Sequence, residues 1–301
     1  MDIKDLEAKD ANTRGMLFVI ISTVLWAING NIGVYLFRDK GVTPEHLTMF
    51  RLVFSGVILL IYQYIYIREE VFNIFHNRDE LIKLVYFAFC GILVMQYGYF
   101  VAVKHSNAAT ATILQSLAPF IIVIITSINY RRLPSKSVLI ALIIALVGTF
   151  LIVTHGRVDQ IAITKSAFIF GMIAVFGCVN YNLVFGALQE KYSTILVLGW
   201  AMTISGIGFS LVFRPWRTSL SMDIGSVLGI LYVTLLGTLF PFLFHLTGLK
   251  NIGAQKASIL SLVEPVMSTI IAVAFMGAKL FKIDFMGIGM VVCALLLLAL
   301  N

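Results

Sequence analysis

Hydrophobic positions in this chain fall into ten long runs, at residues 15–37, 46–67, 81–103, 108–129, 137–153, 166–188, 193–213, 224–249, 255–276 and 284–300, separated by short polar breaks. Each run approaches the roughly 20 apolar residues that a helix needs to cross a bilayer. The strict alternation of barrel strands is missing. A chain in lipid has to satisfy its backbone internally, so every run predicts a helix. The breaks carry turn and cap chemistry, as in Thr43-Pro44-Glu45, Leu133-Pro134-Ser135 and Arg214-Pro215-Trp216. None is long enough for a soluble domain, so the expected chemistry lies inside the bundle.

Two of the runs resemble each other. Residues 108–119 (AATATILQSLAP) and 254–265 (AQKASILSLVEP) both open on small residues and close on a proline where a helix should continue. At a spacing of 146 residues Tyr86 meets Tyr232, Gly91 meets Gly237, Lys104 meets Lys250 and Pro119 meets Pro265, without a gap. Five spans separate each matched pair, and an odd number reverses direction across the membrane. The fold expected is therefore an all-α integral membrane protein of ten transmembrane helices, arranged as two inverted five-helix repeats. Its parts are a cytoplasmic tail (1–14), a first repeat (15–153), a connecting loop (154–165) and a second repeat (166–301). Inverted repeats are the hallmark of alternating-access transporters, whose substrate sits near the midplane between the halves.

Composition agrees with a lipid environment. The chain is 59% hydrophobic and 12% charged, where a soluble domain averages about 25% charged. Its formal charge of +7 is scattered through the loops, which points to membrane orientation and away from nucleic acid. With the N-terminus inside, the cytoplasmic segments of the first half hold nine Lys/Arg (Lys4, Lys9, Arg14, Arg68, Arg78, Lys83, Arg131, Arg132, Lys136) against three outside (Arg38, Lys40, Lys104). Ten spans then return the C-terminus to the cytoplasm, in a multi-pass protein of a cell membrane, the bacterial inner membrane being the expected one. Cys90, Cys178 and Cys293 sit singly in apolar runs and suggest neither disulfide nor metal site. No cofactor is implied. The expected partners are the bilayer, a small-molecule substrate and, if transport is ion-driven, protons.

Within the spans, Glu264 and Arg51 are the charged residues that stand out. A carboxylate near the bilayer centre is a functional-site hypothesis by default. Glu264 is expected to bind a proton or a substrate amine, or to settle helix packing beside Pro265. Arg51 lies early in its helix, where it would either hold a substrate carboxylate or snorkel to the headgroups. Polar and aromatic lining is expected from Trp26, Asn29, Gln96, Tyr97, Tyr99, Gln115, Asn180 and Trp200. Asn29 and Asn180 are the preferred amides over Asn31 and Asn182. Pro119 and Pro265 each remove a backbone donor and kink a helix, which makes them gating candidates. His245 joins them, although a satisfied packing histidine explains it as well.

The motifs also carry a family resemblance. Ala-x-x-Ala-(Thr/Ser)-Ile-Leu opening matched helices, Leu-Val-Glu-Pro-Val at 262–266, Trp26-Ala27-Ile28-Asn29-Gly30 and Arg51 resemble the EamA-type members of the drug/metabolite transporter superfamily. The resemblance covers essentially the whole chain and implies the same ten-helix fold. The Gly-Glu pair usual after the fourth helix of each half is replaced by Tyr130-Arg131-Arg132 and Gly277-Ala278-Lys279. The reading is a secondary transporter, an exporter of small organic metabolites such as amino acids, working by alternating access through a central cavity. The alternatives are a proton-coupled exporter of drugs or toxic metabolites and, further off, an integral-membrane enzyme. No phosphate-binding Gly-x-x-x-x-Gly-Lys-(Ser/Thr) loop and no catalytic His/Asp/Cys constellation occurs in the sequence.

Overall fold

The computed structural model describes residues 3–67, 71–106, 108–157, 164–220, 222–276, 279 and 281–299. The middle of the expected connecting loop, most of the Gly277-Ala278-Lys279 turn and the extreme termini lie outside the described residues. The protein is all-helical, 88% helix, with no strand among the described residues. Its α-helical segments are α1 (Ile3–Asp39), α2 (Pro44–Tyr62), α3 (Arg78–Tyr86), α4 (Val94–His105), α5 (Ala108–Gln115), α6 (Ala118–Asn129), α7 (Lys136–Thr154), α8 (Lys165–Gln189), α9 (Thr194–Phe213), α10 (Ile224–Thr234), α11 (Phe240–Leu260), α12 (Glu264–Met276) and α13 (Lys282–Ala299).

Local sequence explains the helix starts. Thr43, Asn77, Ser135, Thr164, Ser193 and Asp223 are side-chain N-caps of α2, α3, α7, α8, α9 and α10. Each short oxygen satisfies amide donors that the first helical turn leaves unpaired. Several segments join end to end. A π-helical turn, Phe87–Leu93, links α3 to α4, and another, Leu235–Leu239, links α10 to α11. At a spacing of 146 residues the two turns overlap.

Among the described residues, eight helices are long and apolar enough to cross a membrane, and one stretch, Ile224–Ile271, runs to 48 residues. A straight helix of that length would measure about 72 Å, more than twice the hydrocarbon core. Gly253, at φ 80° and ψ 160°, breaks it, using a left-handed conformation that costs glycine little. Exposed apolar side chains such as Leu17, Phe54, Ile61, Ile124, Phe176, Leu211 and Leu296 face outward all round the bundle, as lipid contact requires.

The most extensive helix pairs are α7 with α13, α1 with α11, α2 with α9, and α4 with α8. Small residues permit the close crossings. A Cβ added to Gly56 of α2 would lie 2.6 Å from the Thr203 backbone nitrogen, and one on Gly206 of α9 would lie 2.9 Å from that of Val53. Gly56 and Gly206 are 150 residues apart, as are Val53 and Thr203, so the two contacts are reciprocal. On that register Arg51 matches Ala201.

Candidate functional site

Both prolines singled out in the sequence fall at helix interruptions. α5 ends at Gln115 and α6 restarts at Ala118 with Pro119 in its first turn. α11 ends at Leu260, a 3-10 turn covers Ser261–Val263, and α12 restarts at Glu264 with Pro265 next. A proline cannot donate to the carbonyl four residues earlier, so the carbonyls of Gln115 and Ser261 lose their normal helical partners. Both residues, with both prolines, line one cavity of about 860 Å³ counting its open mouth.

The cavity is lined in matched pairs. Tyr99 and His245, Thr112 and Ser258, Gln115 and Ser261, Ala118 and Glu264, Pro119 and Pro265 all line it, and the members of each pair are 146 residues apart. Trp26, Asn29, Gln96, Tyr181, Asn182 and Phe242 complete much of its wall. The wall is aromatic with polar tips. Trp26 packs edge-on to Phe242, ring centroids 5.1 Å apart, and Tyr181 does the same at 5.3 Å.

Arg51 is fully enclosed, 2% exposed, and does not snorkel. Its Nε donates to Thr238 Oγ1 at 2.8 Å and its Nη2 to the Gly237 carbonyl at 3.4 Å. That carbonyl cannot make the usual α-helical bond, because Pro241, four residues on, has no N–H to give it. The guanidinium also lies 4.7 Å from the Phe100 ring centroid, a cation–π contact strengthened by exclusion of water. The π-turn and Pro241 together build the seat. Glu264 is partly accessible, and it faces the cavity. Tyr99 stands within electrostatic reach of both Arg51 and Glu264.

Four buried polar atoms without a hydrogen-bond partner belong to this wall: Asn29 Oδ1, Gln96 Nε2, Tyr181 Oη and His245 Nδ1. Asn182 Nδ2 donates to the Cys178 carbonyl at 2.8 Å, so its Oδ1, 3.2 Å from His245 Nε2, accepts from the imidazole. Each orphaned atom costs about 1–3 kcal/mol unless water or a ligand reaches it. All four residues line the one cavity, whose wall also carries one basic side chain, Arg51, and one acidic side chain, Glu264.

Trp26, Asn29, Gln96, Tyr99, Gln115, Glu264, Arg51, Pro119, Pro265 and His245 are thus brought together. Three expected liners are elsewhere. Tyr97 donates to Glu45 at 2.8 Å and packs on Phe209 and Phe213. Asn180 accepts from Tyr86 Oη at 2.7 Å. Trp200 Nε1 donates to the Val71 carbonyl at 2.7 Å, with Phe72 and Phe75 around its ring. Helical geometry explains two of these. Positions i and i+2 lie about 200° apart, so facing Tyr99 and Asn182 inward turns Tyr97 and Asn180 away. Cys178 and Tyr181, not expected as liners, and Asn182, ranked behind Asn180, follow from the same periodicity once one of them is placed.

Comparison with known proteins agrees with this architecture. The model of the EamA-like transporter family matches twice, over residues 13–154 and 165–300. The uncharacterized inner membrane transporter YicL of Salmonella typhimurium is 32% identical over 288 residues, 96% of each chain. The uncharacterized transporter YwfM of Bacillus subtilis is 25% identical over 284 residues, 94% of this chain and 93% of its own. A solved crystal structure, 16% identical, superposes with a TM-score of 0.78 over 96% of this chain and 97% of that one, a likeness of fold alone. Two family matches that together span nearly the whole sequence, laid on eight membrane-length apolar helices among the described residues, make this a multi-pass membrane protein that belongs to the EamA-like transporter family.

Proposed function

We propose that the protein is a secondary transporter that exports small organic metabolites, amino acids among them, by alternating access of the central cavity between ten helices in two inverted repeats. Both termini are then cytoplasmic. The observation that carries this reading is the cavity lined by residues at matched positions of both halves. The helix pairs support it as well. Exchanging the halves turns the α1–α11 pair into the α8–α4 pair and leaves α2–α9 and α7–α13 as they are. Rocking one half against the other would expose this cavity to each side in turn.

Arg51 and Glu264 suit a solute with a carboxylate and an ammonium group, and the aromatic wall suits its apolar part. A second reading, export of cationic aromatic drugs, draws on Glu264 beside Trp26 and Phe242, but it leaves Arg51 without an anion. The test is counterflow in proteoliposomes against labelled amino acids, purines, sugars and cationic drugs. Saturable amino-acid flux is expected, lowered at least about tenfold in Glu264→Gln. Saturable flux of cationic drugs with none of amino acids favours the second reading. Absence of saturable flux for every class sinks both.

A further inference from the structure

The central cavity has a neighbour. A second cavity of about 770 Å³ shares Trp26, Tyr99, Thr112, Glu264 and Pro265 with it, and reaches His155 past Asn31, Ser268 and Thr269. Glu264 therefore sits at a junction. Ser268 is one helical turn beyond Glu264 on the same face of α12. Gly30 also lines the passage, and a Cβ there would lie 2.7 Å from Tyr99 Oη, so glycine keeps room for that hydroxyl at the junction.

The far end of this cavity is tightly built. His155 takes the left-handed conformation, φ 52°, that ends α7. Its Nδ1 lies 2.9 and 3.0 Å from the two carboxylate oxygens of Asp284. Asp284 is fully buried and also accepts from the Phe281 backbone amide at 2.8 Å. At the other end of α1, a Cβ on Gly248 of α11 would lie 2.6 Å from the Gly15 carbonyl oxygen, so the backbones of α1 and α11 touch there.

We propose that the second cavity is a proton route, leading to the Glu264 carboxylate from the face on which α1 ends and Lys40 meets Asp223, with His155 at its mouth. A carboxylate oxygen of Glu264 takes one proton from hydronium on that side and leaves water. The same proton returns to water when the group ionises. The hydroxyls and amide of Ser268, Thr269 and Asn31 offer hydrogen bonds to a file of water along the way. The charged and titratable groups around Glu264 are Arg51 of α2, Tyr99 of α4, Cys178 and Tyr181 of α8 and His245 of α11 on the central side. On the route side they are His155 of α7, Asp284 of α13 and Lys279. The proposal deepens the transport reading and rests on it for the position of the bilayer, but not for the cargo.

A membrane-impermeant quaternary carbodiimide tests it on the unaltered protein, because the reagent adds to a protonated carboxyl group it can reach. In sealed vesicles of both orientations, mass spectrometry should find Glu264 labelled at least about tenfold faster from the Lys40 face, and faster at pH 6 than at pH 8. A small methanethiosulfonate supplies an independent arm on Ser268→Cys, with Cys90, Cys178 and Cys293 replaced by alanine. Ser219→Cys and Glu190→Cys, both at exposed loop positions, mark the two faces. Labelling of Glu264 and of the cysteine at 268 from the Lys40 face supports the route. Labelling from the opposite face, equally from both, of neither, or of the cysteine without Glu264 overturns it. No cargo is needed, so absent counterflow with intact labelling counts against the transport reading alone.

Discussion

Superimposing the two halves by register separates what they share from what they do not. Both interrupt a helix at a proline beside the cavity, both contain a π-turn, and both cross the partner half at a glycine. The chemistry departs from that pattern. Arg51 of the first half matches Ala201 of the second, and Glu264 of the second matches Ala118 of the first. Gln96 likewise matches Phe242. Packing is common to the halves, whereas the charges are divided one to each. Under the proposed transport, rocking would need the same joints in both halves, and a solute with two different ends would need two different poles. Symmetric joints with asymmetric poles meet both demands.

Making the halves alike should therefore do different damage at the two poles, and the largest effect belongs to Arg51. Arg51→Ala deletes two charge-assisted hydrogen bonds and the Phe100 contact. A loss of about 2–4 kcal/mol is expected, read as a fall in the denaturant midpoint of the protein in micelles, together with loss of counterflow. The reverse exchange is harsher. Ala201 is fully buried, so Ala201→Arg should prevent folding, seen as aggregation on gel filtration. A stable, active Arg51→Ala protein would remove the argument that the π-turn and Pro241 exist to seat this cation.

Glu264→Ala comes next and should separate transport from stability. Its match, Ala118, already shows that alanine fits before such a proline, and the carboxylate faces open space. Stability should change by less than about 1 kcal/mol, while counterflow falls at least about a hundredfold. Equal losses in both measurements would mean that Glu264 is packing after all, and that the division between joints and poles is wrong.

The sequence carried most of the scaffold and part of the site. Apolar runs and caps are local signals, so most helix ends could be read closely, although α1 starts at Ile3, well before its apolar run, and α11 continues to Leu260 across an expected break. The prolines and the matched stretch located the cavity. What failed was rotation about helix axes. A helix apolar on all sides gives no stripe to say which face turns inward, so nothing local separates Asn182 from Asn180. The enclosure of Arg51 was not legible because its seat comes from Thr238 and Gly237, over 180 residues away in the chain. The π-turn behind that seat, Leu235–Leu239, has no composition of its own.

The rotation can be tested directly with a middle-sized effect. Asn182→Leu takes the acceptor from His245 Nε2 and should weaken cargo binding about tenfold, the equivalent of one buried hydrogen bond near 1.4 kcal/mol. Asn180→Leu loses only the Tyr86 contact on the far side of α8 and should stay within about twofold. Binding isotherms with the transported solute decide between them, and the reverse order would turn α8 around.

The smallest effect concerns a pair of salt bridges, one at each end of the bundle. Lys40 meets Asp223 at 2.5 Å, and Lys191 meets Glu80 at 2.5 Å. They join matched elements, the α1–α2 turn to the start of α10 and the α8–α9 turn to the start of α3, but they are not equally sheltered. The Asp223 side chain is 49% exposed and that of Glu80 only 8%, and Tyr192 also donates to Glu80. Glu80→Gln should therefore lower the Tm more than Asp223→Asn, and 1 M salt should weaken the Lys40 pair first. The pH dependence has a definite sign. Lys40 and the Ser226 bonds hold the Asp223 carboxyl well below the usual range, so its contribution is complete above about pH 4 and is lost only as pH falls through that lowered value. Hydrogen bonding to Asp223 raises Lys40, and hydrogen bonding to Glu80 raises Lys191. Their contributions are complete below about pH 10.4 and fade as pH rises through the raised values. Burial, then the bond to Glu80, pushes the Tyr192 hydroxyl up to about 12, so it stays a donor across the same window. Between those limits neither bridge should alter the Tm. A midpoint that shifts between pH 6 and pH 8, and still does so in Asp223→Asn and Glu80→Gln, would have to arise from groups other than these two bridges.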